Sequence, residues 1–110
     1  MFVAMVPILA AIFLGQTTQV DAEAIRAMCV APVGPHNPRN SEAAIIPLKD
    51  GSLLLGWTEF YAGNGADHGP ARISGKVSTD GGRTWGDKHT LIENDGGCNV
   101  MEVNFMRMKN

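Results

Sequence analysis

The sequence predicts an all-β fold built on a sheet of four short antiparallel strands, and three observations support this. From Ser41 onward, short apolar runs alternate with turn residues. Asp50-Gly51 separates the first two runs, as is typical of a hairpin. No stretch keeps the period of about 3.6 residues that marks a long helix. The strands are expected near residues 42–48, 52–59, 71–78 and 88–93.

The four strands follow one another along the chain with recognisable connections. The first two apolar runs are joined by the turn at residues 49–51, and a glycine-bearing loop at 61–70 leads to the third. A turn at residues 80–82 precedes the fourth, near Thr90-Leu91-Ile92. Residues 23–40 are expected to be a linker or approach segment, because Pro32, Gly34, Pro35 and Pro38 enforce an irregular path.

An internal repeat suggests how such a sheet is used. Residues 42–50 read E-A-A-I-I-P-L-K-D and residues 102–110 read E-V-N-F-M-R-M-K-N, an offset of 60 residues. A repeat of this size with four strands per unit is typical of β-propeller blades. Residues 41–110 are therefore predicted to hold one blade and, from about Val100, the first strand of a second blade.

The N-terminus is predicted to be a signal peptide covering residues 1–22. Residues 1–15 are almost wholly apolar, the first charge is Asp21, and Val20-Asp21-Ala22 fits a cleavage site after Ala22. The apolar run is shorter than the ~18–20 residues of a membrane-spanning helix. The protein is thus expected to be secreted or periplasmic and free of the membrane after cleavage, with a misassigned start or an uncleaved anchor as the alternative.

Composition limits the partners and cofactors. A net charge of -2 gives no electrostatic reason to expect nucleic acid or an anionic membrane surface as a partner. Cys29 and Cys98 are the two cysteines, and the sequence leaves open whether they form one disulfide or remain two thiols. Neither has another cysteine or a histidine at ligand spacing, so no metal or other cofactor is predicted.

Residues 78–85, S-T-D-G-G-R-T-W, fit the Asp-box pattern S-x-D-x-G-x-T-W at every fixed position. The pattern describes a tight turn between strands in which a carboxylate accepts backbone N–H bonds and glycine supplies positive φ. The indole of the tryptophan can pack between neighbouring sheets. The expected role is therefore structural for all five residues, Ser78, Asp80, Gly82, Thr84 and Trp85.

Residues 39–85 resemble the first blade of sialidases, exo-acting hydrolases that release terminal sialic acids, and of the broader BNR-repeat group. Residues 50–55 resemble the family's turn and strand, Thr58-Glu59 its A-E strand end, and Asp67-His68-Gly69 its D-x-G loop. The resemblance implies that Asp67, eleven residues before Ser78, is the general acid/base. The alternative for Asp67 is an ordinary solvated loop carboxylate.

The chain departs from the family where sialidases carry the first arginine of a carboxylate-binding triad in an R-I-P motif. Here Arg39 is displaced by two residues, so it is either a substrate-binding residue or an exposed loop arginine. Glu42 and its repeat mate Glu102 are expected to bind sugar hydroxyls or to take part in acid/base chemistry on a neutral or cationic substrate, and they disfavour an anionic sugar. The alternative is that each hydrogen-bonds the backbone of a neighbouring blade. The nearby polar residues Tyr61, His68 and His36 match no motif and are taken as loop residues.

The function expected from this resemblance is that of the N-terminal part of a sialidase-like exo-glycosidase acting on glycans or glycoconjugates. In the family, the tyrosine nucleophile and its glutamate partner belong to later blades, so this piece alone is expected to be inactive. A non-catalytic sugar-binding BNR propeller is the main alternative. A propeller enzyme for another acidic or neutral glycan is a third.

Overall fold

The computed structural model describes residues 27–109 and contains one four-stranded sheet in the order β1-β2-β3-β4. The strands are β1 (Arg39–Pro47), β2 (Leu53–Phe60), β3 (Ala71–Ser78) and β4 (His89–Ile92), and all three pairings are antiparallel. The described residues contain no helix, and hence none long and apolar enough to cross a membrane. The predicted all-β fold with four antiparallel strands is confirmed. The predicted signal peptide lies outside the described residues.

The first strand begins three residues earlier than the sequence predicts. Arg39 and Asn40, assigned from sequence to the approach segment, pair with Phe60 and Glu59 of β2. Proline sets the preceding residue to extended geometry but does not oppose extended backbone after itself, so the strand can start directly after Pro38. The early start brings Arg39 into the sheet, where its position is fixed by strand pairing.

The sheet has two faces because successive side chains alternate. Phe60 and Ile73 point to one of them, called here the Phe60 face, and are 0% and 1% exposed. Trp57 and Glu59 point to the other, the Trp57 face, and both are buried. Complete burial of a side chain such as Phe60 contributes about 1.5–3 kcal/mol, so both faces add to stability.

The Phe60 face is covered by the C-terminal residues 98–109. The Phe105 ring packs against Gly56 so closely that an added Cβ at Gly56 would lie 2.8 Å from its Cζ atom. The Glu102 amide donates to Thr58 Oγ1 at 3.0 Å, and Arg107 contacts the Pro47 carbonyl. Residues 101–109 are not a strand, unlike the expectation of a strand from about Val100, because they lie across the sheet face and pair with no strand among the described residues.

The Trp57 face is covered by residues 27–37. Lys76 Nζ donates to the Val30 carbonyl and Asn40 Nδ2 to the Ala31 carbonyl, both at 2.9 Å. The Trp57 indole N–H donates to Asn40 Oδ1 at 3.0 Å. The approach segment is therefore held to the sheet by polar groups that the strands present.

Antiparallel order gives the sheet two distinct ends. The loop end holds the start of β1, the end of β2, the loop of residues 61–70 and the start of β3. The turn end holds the turn between β1 and β2 and the Asp-box turn after β3. Of the residues for which the sequence suggests chemistry, Arg39 and Asp67 thus lie at the loop end, opposite the Asp box.

Candidate functional site

Arg39 is the centre of the candidate site at the loop end. Its Nη1 donates to the Gly65 carbonyl at 3.1 Å and to Asp67 Oδ1 at 2.5 Å. Its Nη2 lies 3.6 Å from Glu42 Oε1, and the guanidinium sits 4.5 Å above the centre of the Phe60 ring. Three residues singled out from the sequence, Arg39, Glu42 and Asp67, are therefore brought into one cluster.

A bulge in β1 directs Glu42 to this cluster. The pairing register with β2 shifts between Ser41 and Ala44, so that Glu42 and its neighbour together face one residue of β2. Glu42 has φ of 40°, in a region that non-glycine residues seldom adopt. Its Oε2 accepts a 2.5 Å hydrogen bond from Ser41 Oγ. The glutamate thus contacts its own strand and Arg39.

The Asp67 carboxylate is exposed and ionised in this arrangement. The hydrogen bond and then the positive charge of Arg39 hold the pKa of Asp67 below its usual range, and His68 adds to the effect. Its side chain is 82% exposed. A general acid needs a raised pKa, so Asp67 would have to leave Arg39 before it donated a proton to a substrate.

Glu102, the repeat mate of Glu42, shares its backbone geometry. Its φ is 63°, so the two glutamates occupy the same unusual conformational region. The Glu102 amide is anchored to Thr58 Oγ1, while its carboxylate makes no hydrogen bond or ion pair within residues 27–109. The repeat seen in the sequence therefore extends to the backbone, although Glu102 does not join Arg39 in an ion pair.

A second cluster surrounds Glu59, for which sequence reasoning assigned no chemical role. Glu59 is 1% exposed, yet Oε2 accepts from Arg72 Nε at 2.8 Å and from Ser74 Oγ at 2.5 Å, and Lys88 Nζ contacts Oε1. Burial raises the pKa of Glu59, but the hydrogen bonds from Lys88, Ser74 and Arg72 outweigh it and leave the pKa lowered. The group is a buried carboxylate with two partly exposed cations.

An open cleft of about 490 Å³ borders this cluster, between residues 32–37 and the loop end. Tyr61 and His36 line it together with Glu59. The Tyr61 hydroxyl accepts a 3.1 Å hydrogen bond from Asn94 Nδ2, and Arg72 lies 5.0 Å from the centre of the tyrosine ring. Tyr61 and His36 thus belong to a different surface from the Arg39 cluster.

The Asp-box turn is closed by its own residues. Asp80 Oδ1 accepts from the Thr84 amide and from Ser78 Oγ, both at 2.8 Å, and Asp80 Oδ2 accepts from Thr84 Oγ1 at 2.5 Å. The Gly82 amide donates to Ser78 Oγ at 2.9 Å, and Gly82 has φ of 88°. Trp85 is half-buried and lies against Gly82: a Cβ placed on Gly82 would be 3.8 Å from Trp85 Cζ2. The bonds from Thr84 and Ser78 lower the pKa of Asp80 to about 2.

The described residues offer no evident metal site and no disulfide. No group of three or more His, Cys, Asp or Glu side chains between residues 27 and 109 is arranged to hold a metal ion. Cys29 and Cys98 are exposed free thiols, so of the two alternatives left open by the sequence the structure contains the unpaired one.

Comparisons with known proteins give no match. No protein-family model matches the chain, and neither the curated proteins nor the solved structures contain a match. What can be inferred about function therefore comes from the residues themselves and their geometry.

Proposed function

We propose that this chain is the N-terminal part of a sialidase-like exo-glycosidase that hydrolyses terminal sugars of exported or extracellular glycoconjugates. The observation that carries the proposal is the separation of Asp67 and Arg39 at the loop end from the Asp-box turn at the other end. In that arrangement the Asp-box carboxylate holds a turn, whereas the Asp67 carboxylate is exposed to a substrate and paired with Arg39.

In this proposal the sheet is a propeller blade, and Asp67 protonates the leaving glycosidic oxygen. Its 82% exposure gives a substrate access, and its contact with Arg39 fixes its position before binding. A substrate group that engages Arg39 would release Asp67 from its ion pair. Loss of that ion pair raises the pKa of a carboxyl group and so favours the protonated form.

The charge of the cluster favours a neutral sugar over an acidic one. Two carboxylates, Asp67 and Glu42, already lie on the single guanidinium of Arg39, so an anionic sugar must displace them. A neutral glycan needs only hydrogen bonds to these groups. The second candidate function, a non-catalytic sugar-binding propeller, is favoured by the lowered pKa of Asp67, which suits a hydroxyl acceptor better than a proton donor.

The test is the substitution Asp67→Ala in the intact protein that contains this chain. Turnover of alkyl or sugar glycosides should fall by about 10²–10⁴-fold, the usual loss of general acid catalysis, because their leaving groups need the proton. Activated aryl glycosides should lose far less. Steady-state kinetics on both substrate types measures the difference.

Asp87→Ala is the matched control, since Asp87 is exposed and its side chain has no hydrogen bond or ion pair among residues 27–109. It should retain wild-type turnover on both substrates. Equal loss on both substrate types in Asp67→Ala, or no loss, contradicts the acid role. Sugar binding without hydrolysis by the wild type would favour the binding propeller.

A further inference from the structure

Asn99 is attached to the loop that carries Asp67. Its Nδ2 donates to the Asp67 carbonyl at 2.7 Å and to the Gly69 carbonyl at 3.1 Å. A side-chain amide has two N–H groups, so each carbonyl can receive one of them. The backbone on both sides of residue 68 is therefore bonded to a single side chain.

The neighbours of Asn99 extend this attachment. Cys98 Sγ contacts the His68 carbonyl at 3.3 Å, and the Val100 amide donates to the Ala71 carbonyl at 2.9 Å. Three successive residues thus contact the carbonyl groups of the loop and of the first residue of β3. Loops ordinarily have few such contacts and move more than strands, so these bonds restrict where the Asp67 carboxylate can lie.

The repeat relates Asn99 to Arg39. Asn99 follows Arg39 by 60 residues, the same offset that relates Glu102 to Glu42. The equivalence extends to the backbone, since both glutamates have positive φ, 40° and 63°. Equivalent positions of two successive repeat units therefore meet one loop: Arg39 bonds the Asp67 carboxylate and Asn99 bonds the Asp67 carbonyl.

We propose that Asn99 is a positioning residue for Asp67, so that the site of the first repeat unit is completed by the entry segment of the second. The proposal rests on the proposed function in so far as it concerns turnover. Asn99 acts on the backbone of residue 67 and orients its carboxylate against Arg39, without touching the substrate itself.

The test in the intact protein uses the pair Asn99→Gln and Asn99→Met. The two introduced side chains have similar length and no charge, but only glutamine keeps an amide donor. Asn99→Met should lower kcat by about 10–100-fold with KM within about twofold, the expected cost of a misplaced catalytic group. Asn99→Gln should keep much of the kcat that Asn99→Met loses.

Asn99→Asp adds a readout that depends on protonation. Its introduced carboxylate repels the two carbonyls, but in the protonated form it can donate one hydrogen bond. The ionisable side chains of the loop that Asn99 bonds and of its β1 partner are Asp67, His68 and Arg39. The activity of Asn99→Asp relative to wild type should therefore rise as the pH falls below about 5. Asn104→Asp is the matched control, since Asn104 is exposed and makes no side-chain hydrogen bond among the described residues.

A measurement without substrate separates this proposal from the proposed function. Carboxyl ¹³C NMR follows the pKa of Asp67, which Arg39 holds below its ordinary value of 3.8. In Asn99→Met the loosened loop weakens the Arg39 contact, so the pKa of Asp67 should rise towards that value. The shift of the Trp57 indole N–H, which donates to Asn40 Oδ1 at 3.0 Å across two strands, reports that the sheet of the variant is assembled.

Each outcome decides the proposal. A raised Asp67 pKa in a protein without glycosidase activity supports positioning by Asn99 and refutes the proposed enzyme. In an active enzyme, a lowered kcat in Asn99→Met with recovery in Asn99→Gln supports it. An unchanged Asp67 pKa, or kcat within about twofold of wild type in an active Asn99→Met enzyme, overturns it.

Discussion

At the turn end of the sheet, Asp80 and Asp50 are bonded by near neighbours in sequence, whereas at the loop end Asp67 and Glu59 are bonded by distant residues. Asp80 accepts bonds from residues two and four positions away, and Asp50 from Ser52. Asp67 is held by Arg39, 28 residues earlier, and by Asn99, 32 residues later. The turn can therefore form whenever its own segment is present, while the loop end forms only when the whole sheet has assembled.

The largest expected effect concerns Glu59 at the loop end. The double substitution Arg72→Met with Lys88→Met leaves a 1% exposed carboxylate without a cation and should cost about 3–5 kcal/mol of unfolding free energy at pH 7. Urea denaturation measures the loss. The intact cluster has a lowered Glu59 pKa, so its stabilisation is present above the ordinary glutamate pKa of 4.5 and is lost as the pH falls.

The double variant should show the opposite pH dependence. Without the two cations and with Ser74 as the remaining partner, burial raises the Glu59 pKa, so the variant should recover stability relative to wild type when the pH is lowered from 7 to 4. The substitution Glu59→Gln, which replaces the carboxylate by an uncharged amide of the same size, is the control in the double variant. It should remove that recovery of stability. A loss below about 1 kcal/mol at pH 7 would mean that water already reaches Glu59.

A smaller effect distinguishes the two ends by a matched pair of glycines. Gly65 and Gly81 have nearly equal φ, 76° and 75°, so alanine costs each about 1–2 kcal/mol of left-handed strain. A Cβ at Gly65 would also lie 3.0 Å from Arg39 Cβ, whereas one at Gly81 meets no atom within 4 Å. Gly65→Ala should therefore cost about 1–3 kcal/mol more than Gly81→Ala in urea denaturation. Equal losses would show that the loop end is no more constrained than the turn.

The smallest effect is the acid sensitivity of the Asp-box turn. The folded-state pKa of Asp80 is about 2, against an ordinary aspartate pKa of 3.8. Asp80 therefore stabilises the turn above pH 3.8, and that stabilisation is lost as the pH falls through about 2. The Thr84 amide proton shift should titrate with a midpoint near 2, and Asp80→Asn should abolish the titration. The exposed carboxylate of Asp87 is the reference in the same experiment. A midpoint near pH 3.8 in the Thr84 amide shift would contradict the hydrogen bonds between Thr84 and the Asp80 carboxylate.

The distinction between contacts with near neighbours and contacts with distant residues also explains which parts of the fold and site were predictable. The third strand, Ala71–Ser78, matches its predicted range, and β2 and β4 each differ from theirs by one residue at both ends, because alternation and turn residues are local signals. Arg39 and Asp67 were singled out one at a time through the resemblance to sialidases, and their roles stay predictions. The predicted strand from about Val100 was wrong, since a strand needs a neighbour to pair with, and residues 101–109 instead cross the Phe60 face.

Two sets of residues escaped prediction for a physical reason. Lys88 contacts Glu59 although it lies 29 residues later in the sequence, and no motif spacing marks that contact. Asn99 carries no motif, and the signal that identifies it is its 60-residue offset from Arg39. The offset points to Asn99 only when the structure shows that Arg39 and Asn99 both bond the Asp67 loop.

The sequence by itself determined the strands, the hairpin turn and the Asp-box turn, because apolar alternation and bonds spanning a few residues are complete within short segments. Tertiary structure alone decided that Arg39, Glu42 and Asp67 meet, that Glu59 is buried between Arg72 and Lys88, and that Asn99 bonds the Asp67 loop. These contacts depend on the bulge at Glu42 and on the register of all four strands. Both are properties of the pairing between separate strands, which no single short segment contains.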